Sequence, residues 1–305
     1  MKKIMKNHRV TVFTPTYNRE KTLHRVYESL LHQTFKDFEW LVIDDGSTDN
    51  TKELINKYIK EGKIDIRYFY QENQGKHIAI NNAVQKVNSE LFLIADSDDA
   101  FLPESLDKFV ETWDSIENKA LFKGVIARCF DSVSKKKIGN DFPMYQFDAN
   151  ELDANFKYKT VGEKWSLFKT DVLREFPFPN INGLKFYPET IIWQKMARKY
   201  LTRYIDIPLR EYFKDQDNAL TNKRSSRYKE NIYLWEHIIN NIYDYFWYNP
   251  KLFLKAHVGI SRDGLLNNKK FKDIVKMNNK FYKKVLTIIL YPLGYFLYKR
   301  MINNE

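Results

Sequence analysis

Cysteine is almost absent from this 305-residue chain: Cys129 stands alone, so no disulfide can form within it, which fits a reducing cytoplasm. The basic opening from Met1 to Asn7 is followed by no long apolar stretch, and no signal peptide is expected. Internal repeats and low-complexity tracts are missing as well. Aromatic residues, by contrast, are plentiful. With 22 Phe, 20 Tyr and 6 Trp, 16% of the whole, a disordered chain is excluded. The length suits one large domain, or a medium domain with a smaller appendage and ample core.

The net charge of +11 is unevenly spread. Residues 221–305 hold 16 Lys and Arg against 6 Asp and Glu, a balance of +10, which leaves +1 for the first 220 residues. A basic appendage of this kind faces an anionic surface, either a membrane or a nucleic acid.

One stretch organises the rest. Leu91-Phe92-Leu93-Ile94-Ala95 is a buried-strand pattern that breaks at once into Asp96-Ser97-Asp98-Asp99. Carboxylates so crowded repel one another unless a cation or hydrogen-bond donors offset the cost. Hard oxygens on a tight turn suit Mg²⁺ or Mn²⁺, which takes one or two carboxylates and completes its shell with substrate phosphates. The alternative is an acidic turn that is merely solvated.

Upstream, strands are expected from Arg9, over Phe38–Ile43 and over Ile64–Tyr70, with Pro15 ending the first ladder. Helices are expected over Glu20–Gln33, Thr51–Lys60 and His77–Val87. This alternation implies a parallel α/β sheet, in which ligands bind beyond the carboxyl ends of the strands. Thr14–Arg19, Asp44–Asp49 and Asp96–Asp99 all sit at such ends and should share one crevice.

These segments carry a resemblance. Thr-Pro-Thr-Tyr-Asn-Arg at 14–19, Gln33 to Glu39, Val42 to Asp49 and Asp96-Ser97-Asp98-Asp99 are similar to the motifs of glycosyltransferase family 2, in that family's order and spacing over about residues 8–110, with a weaker match to about 220. The resemblance implies a GT-A fold, α/β with a Rossmann-like, mostly parallel sheet flanked by helices. It also implies a nucleotide-sugar donor and inverting chemistry. The expected organisation is a catalytic domain over 1–220, its nucleotide half about 8–110 and its acceptor half about 111–220, followed by a helical, basic region over 221–305.

Such a transfer needs the departing diphosphate neutralised, the donor held and the acceptor hydroxyl deprotonated. A divalent metal acts as the Lewis acid. Asp98, with Asp96 beside it, is the expected metal ligand for Mn²⁺ or Mg²⁺, and Asp96 is also expected to bind the ribose. The resemblance places Tyr17 under a uracil ring, lined by Pro15 with Asn18 next to it, and has Asp45 accept from the ring N–H; Asp44 is the second choice, since it could tie the loop instead. Lys76 could reach the base or the diphosphate, and Asp99 could support the metal from behind or orient the acceptor. Glu189, with Pro188 before it at a helix start, is the candidate general base.

The chain departs from the family in two places. An acidic pair is usual at the base position, and Glu189-Thr190 keeps only the first acid. Many relatives also supply a histidine to the metal or diphosphate after the base, and none of the six histidines lies between 190 and 236; Arg210, Lys214 and Asp217 are the substitutes at hand.

Beyond residue 110, a helix and then a strand over Gly124–Phe130 are expected, with a solvated basic turn at Lys135-Lys136-Lys137. Residues 140–160 read as an irregular insertion shaping the acceptor side. A short helix follows over Thr170–Glu175, then a strand at Leu201–Ile207 and a polar loop at Asp215–Thr221. The tail has helical periodicity over 225–247 and 250–267. Its apolar run Val285–Tyr298 is fourteen residues, short of the about 20 a spanning helix needs. Basic flanks and tyrosines suit a segment lying in the membrane interface; the alternatives are packing on the catalytic domain or a homo-oligomer through these helices.

The expected protein is thus a metal-assisted inverting glycosyltransferase. It moves a sugar from a UDP-sugar to a glycan or lipid-linked acceptor in bacterial surface polysaccharide or glycoconjugate synthesis, and sits peripherally on the inner face of the cell membrane. Three other readings compete with it. A sugar-nucleotidyltransferase would need a Gly-rich phosphate loop, and Thr14 to Asn18 has no glycine. A nucleic-acid binder would need a recognisable binding motif in the tail, which has none. A catalytically inactive sugar-nucleotide binding or scaffold protein is the alternative retained.

Overall fold

The computed structural model describes residues 7–214 and 227–303. The expected polar loop at Asp215–Thr221, with Asp217, therefore lies outside the described residues. The chain divides into two compact units, Met1–Lys185 with Ile192–Asp217, and Phe186–Ile191 with Asn218–Glu305.

The first unit opens with strands and helices in alternation: β1 (Val10–Thr16), α1 (His24–Leu31), β2 (Phe38–Asp44), α2 (Thr51–Glu61), β3 (Ile66–Tyr70), α3 (Lys76–Val84) and β4 (Leu91–Ile94). These four strands lie in the order β3-β2-β1-β4, all parallel. β1, β2 and β4 are buried along their whole length, as strands covered on both faces must be. The apolar stripes of the helices supply the cover: Val26, Tyr27 and Leu30 of α1 and Ile55 and Tyr58 of α2 join the core around Trp40. Tyr27 and Tyr58 stack with ring centroids 3.7 Å apart.

β1 does not stop at Pro15. Its pairing with β2 continues through Pro15↔Ile43 to Thr16↔Asp44. Phe13 bonds towards β4 through its carbonyl, and Thr16 towards β2 through its own. By alternation, the N–H that Pro15 lacks would point to the β4 side, where pairing has already ended at Ile94. No ladder bond is lost.

Beyond β4 the sheet turns mixed. β5 (Ala100–Phe101), α4 (Ser105–Asp114), β6 (Phe122–Asp131), β7 (Gln146–Ala149), α5 (Glu151–Phe156), β8 (Lys164–Lys169), α6 (Thr170–Glu175), α7 (Glu189–Met196) and β9 (Leu201–Tyr212) follow in sequence. The spatial order continues β4-β8-β6-β9-β5, with β7 on β9. β8 is antiparallel to β4 and β6, whereas β6 and β9 are parallel.

The segment over 140–160 is not irregular. β7 and α5 occupy it, held by Phe147 stacked on Tyr204 at 4.8 Å and by Asn150, whose side chain accepts from the Asp153 N–H to cap the helix. Lys135 and Lys137 of the basic turn pair with Glu211 and Asp206 of β9.

The second unit is helical: α8 (Tyr228–Asn241), a 3₁₀ segment (Tyr243–Tyr248), α9 (Pro250–Leu266), α10 (Phe271–Lys276) and α11 (Phe281–Ile302). The Trp235 ring of α8 lies against Gly259 of α9 and donates to the Asp263 carboxylate at 2.7 Å. α11 is longer than the fourteen-residue apolar run suggests. It spans 22 residues and includes Pro292, so by length and composition it is one helix capable of crossing a membrane. The apolar run undercounts it because the flanking Tyr, Lys and Arg residues also sustain a helix.

Candidate functional site

Strand register places the site. Thr16 pairs with Asp44, and the Ala95 N–H donates to the Phe13 carbonyl, so Tyr17, Asp45 and Asp96 leave three adjacent strands at one edge. Sheets of this kind collect ligands there.

Pro15 is buried at the end of β1 and Tyr17 is 48% exposed just after it. Asn18 adopts φ +53°, a left-handed conformation that Asn tolerates, and locks the two loops together. Its N–H donates to Ser47 Oγ at 2.9 Å, and its side-chain oxygen accepts from the Thr48 N–H at 2.8 Å. Asp44 is buried, accepting from the Ser47 N–H and from the Tyr68 hydroxyl, at 2.8 and 2.9 Å. Asp45 accepts from Gln71 Nε2 at 2.7 Å and from the N–H groups of Gln74 and Gly75, both at 2.8 Å. Both acids thus order loops. Gly75 has φ +96°, and a Cβ there would stand 2.0 Å from the Lys185 carbonyl oxygen, so this turn requires glycine.

Lys76 begins α3 and puts its ammonium 2.6 Å from Asp96 Oδ1. Arg210 of β9 reaches Asp96 Oδ2 at 3.4 Å and Asp99 Oδ2 at 3.3 Å. Arg19 stands 3.5 Å from Asp98 Oδ2. Around the turn itself, Thr22 Oγ1 donates to the Ser97 carbonyl and Arg25 to the Asp98 carbonyl, at 3.0 and 2.8 Å. Three carboxylates and three cations therefore form one cluster.

Electrostatics separate the three acids. Burial raises the Asp96 carboxyl, but Lys76 and Arg210 outweigh burial and hold it below its ordinary range. Asp99 is 3% exposed, its Oδ1 accepting from the Phe213 N–H at 3.2 Å. Burial pushes it up to about 7 against the pull of Arg210, and the charges of Asp96 and Asp98 add to the rise. Burial opposes the charge on Arg210, yet Cys129, Asp99 and Asp96 around it keep its pKa above the ordinary value. Arg210 Nε also donates to the Cys129 sulfur at 3.2 Å.

Asp96 and Asp98 keep 34% and 28% of their side chains exposed, and their hard oxygens fit a divalent ion that takes one or two carboxylates. Among the described residues no group of three His, Cys, Asp or Glu is placed to hold a metal. Of the two substitutes for the missing histidine that lie within the described residues, Lys214 pairs with Asp131 at 2.8 Å and Arg210 is at the acids. Glu189 opens α7, half-buried, and belongs to the second unit. The role of Arg19 was missed in the sequence, although it closes the Thr-Pro-Thr-Tyr-Asn-Arg motif; its position just past β1 was the available signal.

The family model for glycosyl transferase family 2 matches residues 11–176, more than half of the chain. The chain belongs to that family. A glycosyltransferase of undescribed specificity from Rickettsia bellii is 36% identical over 137 residues, 44% of this chain but 19% of that protein. The GalNAc(5)-diNAcBac-PP-undecaprenol beta-1,3-glucosyltransferase of Campylobacter jejuni is 27% identical over 200 residues, 63% of this chain and 60% of the relative. The chain thus spans well under two thirds of the first of these and somewhat under two thirds of the second.

The structure of S. aureus TarS residues 1–349 in complex with UDP-GlcNAc matches with a TM-score of 0.65 at 19% identity, covering 96% of this chain and 92% of that one. A mannosyltransferase from Pyrobaculum calidifontis in complex with GDP-Man and Mn²⁺ matches with a TM-score of 0.54 at 17% identity, over 94% and 87%. The fold is GT-A, as the motifs imply, with helices following the catalytic sheet.

Proposed function

We propose that this family 2 protein is an inverting glycosyltransferase that moves a sugar from a UDP-sugar to a hydroxyl of a glycan or lipid-linked acceptor in bacterial surface polysaccharide or glycoconjugate synthesis. The observation that carries the reading is the placement of Asp96 and Asp98, partly exposed, at the carboxyl edge of parallel strands with Lys76, Arg19 and Arg210 around them. The UDP-GlcNAc held by TarS and the polyprenol-linked glycan in the name of the Campylobacter relative support the donor and acceptor classes.

Tyr17, Pro15 and Asn18 would form the base pocket, with the loop ordered by Asp44 and Asp45 closing it, and Asp96 would take the ribose. Lys76 and Arg210 carry positive charge beside the position where diphosphate negative charge grows during bond cleavage. A Mn²⁺ or Mg²⁺ ion held by Asp98 with Asp96 would supply Lewis-acid neutralisation of that diphosphate. The acceptor hydroxyl is to lose its proton to the Glu189 carboxylate as it attacks, which inverts the configuration in one displacement. A peripheral position on the inner membrane face fits the basic second unit.

The second reading, a sugar-nucleotide binding or scaffold protein without turnover, draws on the cations already standing beside each of the three acids. One experiment separates the two. Purified protein with Mn²⁺ is screened against UDP-sugars for UDP release. Turnover that Asp98→Ala removes supports the enzyme. Binding without release supports the scaffold, and neither binding nor release sinks both.

A further inference from the structure

The last helix of the second unit is inside out. A helix on a water-soluble body buries its apolar stripe and exposes its polar face. In α11 the fully buried positions are Lys283, Thr287 and Gly294, one stripe of polar and small residues. The outward positions are Phe281, Ile289, Leu293 and Phe296, from 51% to 82% exposed.

The buried stripe is a built seam. Lys283 donates to the Asn279 side chain at 3.1 Å and lies 4.9 Å from the centre of the Tyr243 ring. The Thr287 hydroxyl stands 2.6 Å from His257 Nδ1 of α9 and 3.2 Å from Asn278 Oδ1. At Gly294 a Cβ would lie 2.5 Å from Ser261 Cβ and 2.9 Å from the Val258 carbonyl oxygen, both on α9. Hydrogen bonds and close backbone approach therefore attach α11 to α9, and its large apolar side chains are left outward. A contiguous exposed apolar face of this kind marks an interaction surface.

Charge identifies the occupant. Lys280 and Lys284 stand at one end of the helix, Lys299 and Arg300 at the other, and none of its 22 residues is acidic. Two copies of this face brought together would set like charges against like, with no acid to pair them. The headgroups of an anionic bilayer offer the complementary sign along both ends of the apolar strip.

The same features favour lying over spanning. The whole 22-residue helix is long enough to cross, but its uncharged stretch is not: the 15 steps from Lys284 to Lys299 rise about 22 Å at 1.5 Å each, short of the about 30 Å hydrocarbon thickness. Pro292 leaves the Ile288 carbonyl without its helix bond, and interfacial water can satisfy that oxygen when the helix lies flat. Pulling α11 off α9 would also leave Lys283, Thr287 and His257 without these partners.

We propose that α11 stays docked on α9 and lays its Phe281, Ile289, Leu293 and Phe296 face into the interface of an anionic lipid bilayer, parallel to the membrane. This deepens the membrane-surface reading above and stands apart from the sugar-transfer chemistry.

The test uses the full chain, with flotation on phosphatidylcholine vesicles with and without phosphatidylglycerol. Binding is expected only with the anionic lipid and should fall with salt. The paired substitution Ile289→Asp and Phe296→Asp lies on the exposed face and should weaken binding about tenfold or more while the melting temperature holds. In membranes of producing cells, alkaline carbonate should release the wild-type chain. Equal binding to neutral vesicles, a chain that resists carbonate, or a dimer lost in the variant without vesicle binding would each overturn the proposal. UDP-sugar turnover by the same variant in vesicle-free buffer is the separate check: if turnover persists while flotation is lost, the catalytic reading stands by itself, and if turnover is absent from the wild type while flotation holds, only the catalytic reading fails.

Discussion

Arg210 Nη1 stands 3.3 Å from Asp99 Oδ2, deep in the first unit, where the arginine is 5% exposed and the aspartate 3%. The same guanidinium nitrogen is 3.4 Å from Asp96 across 114 residues of sequence. Removing one partner of a buried pair leaves the other uncompensated. Arg210→Leu is therefore expected to cost about 3–5 kcal/mol in denaturant unfolding. Adding Asp99→Leu to it should restore part of the loss, and a double variant less stable than the single would contradict the pairing.

Asp98 presents a different case, because its side chain is partly open. Asp98→Ala is expected to leave the melting temperature near that of the wild type and to lower UDP-sugar turnover by about a hundredfold or more. Calorimetry alongside UDP release distinguishes this from unfolding.

Glu189→Gln keeps the shape of the side chain and removes its basicity. Donor binding, measured by calorimetric titration with UDP, should be unchanged, and transfer should fall by about 10²–10⁴-fold. Weaker UDP binding with unaltered turnover would move the base elsewhere.

The second unit should be acid-sensitive through His257. Burial, with the Lys283 charge adding to it, pushes this imidazole down to about 4 from 6.5. Between those values the unfolded chain binds a proton that the folded chain does not. The contribution of His257 to stability is therefore complete above about pH 6.5 and is lost as pH falls towards about 4, by up to roughly 3 kcal/mol. Thermal unfolding of the wild type and of His257→Gln at several pH values should show a steeper fall for the wild type.

The nucleotide half could be read from sequence because each of its strands is a short buried run ending in a polar loop, and parallel α/β topology then dictates where those loops meet. Asp96 and Asp98 were legible on that ground. Arg210 was only one of three substitutes, since its approach to Asp96 depends on β9 lying between β6 and β5, an order that no local pattern encodes. β5 is two residues long and leaves no periodic signal. β7 and α5 depend on the distant Tyr204 ring. In α11 the apolar run was visible, but not which side of it faces the protein, because the attaching stripe is made of Lys283, Thr287 and Gly294, residues that sequence patterning assigns to solvent.

Cys129 lies fully buried on β6, its thiol pushed up chiefly by burial and its sulfur accepting from Arg210. Thiolate is the reactive form, so alkylating dyes and spin labels should pass this sulfur by in the folded protein. The wild-type chain is in effect its own cysteine-free background. A reporter thiol introduced at any exposed position, on Tyr17's loop or on the outer face of α11, would take the probe alone, and donor binding and lipid contact could each be followed by spectroscopy without first re-engineering the core.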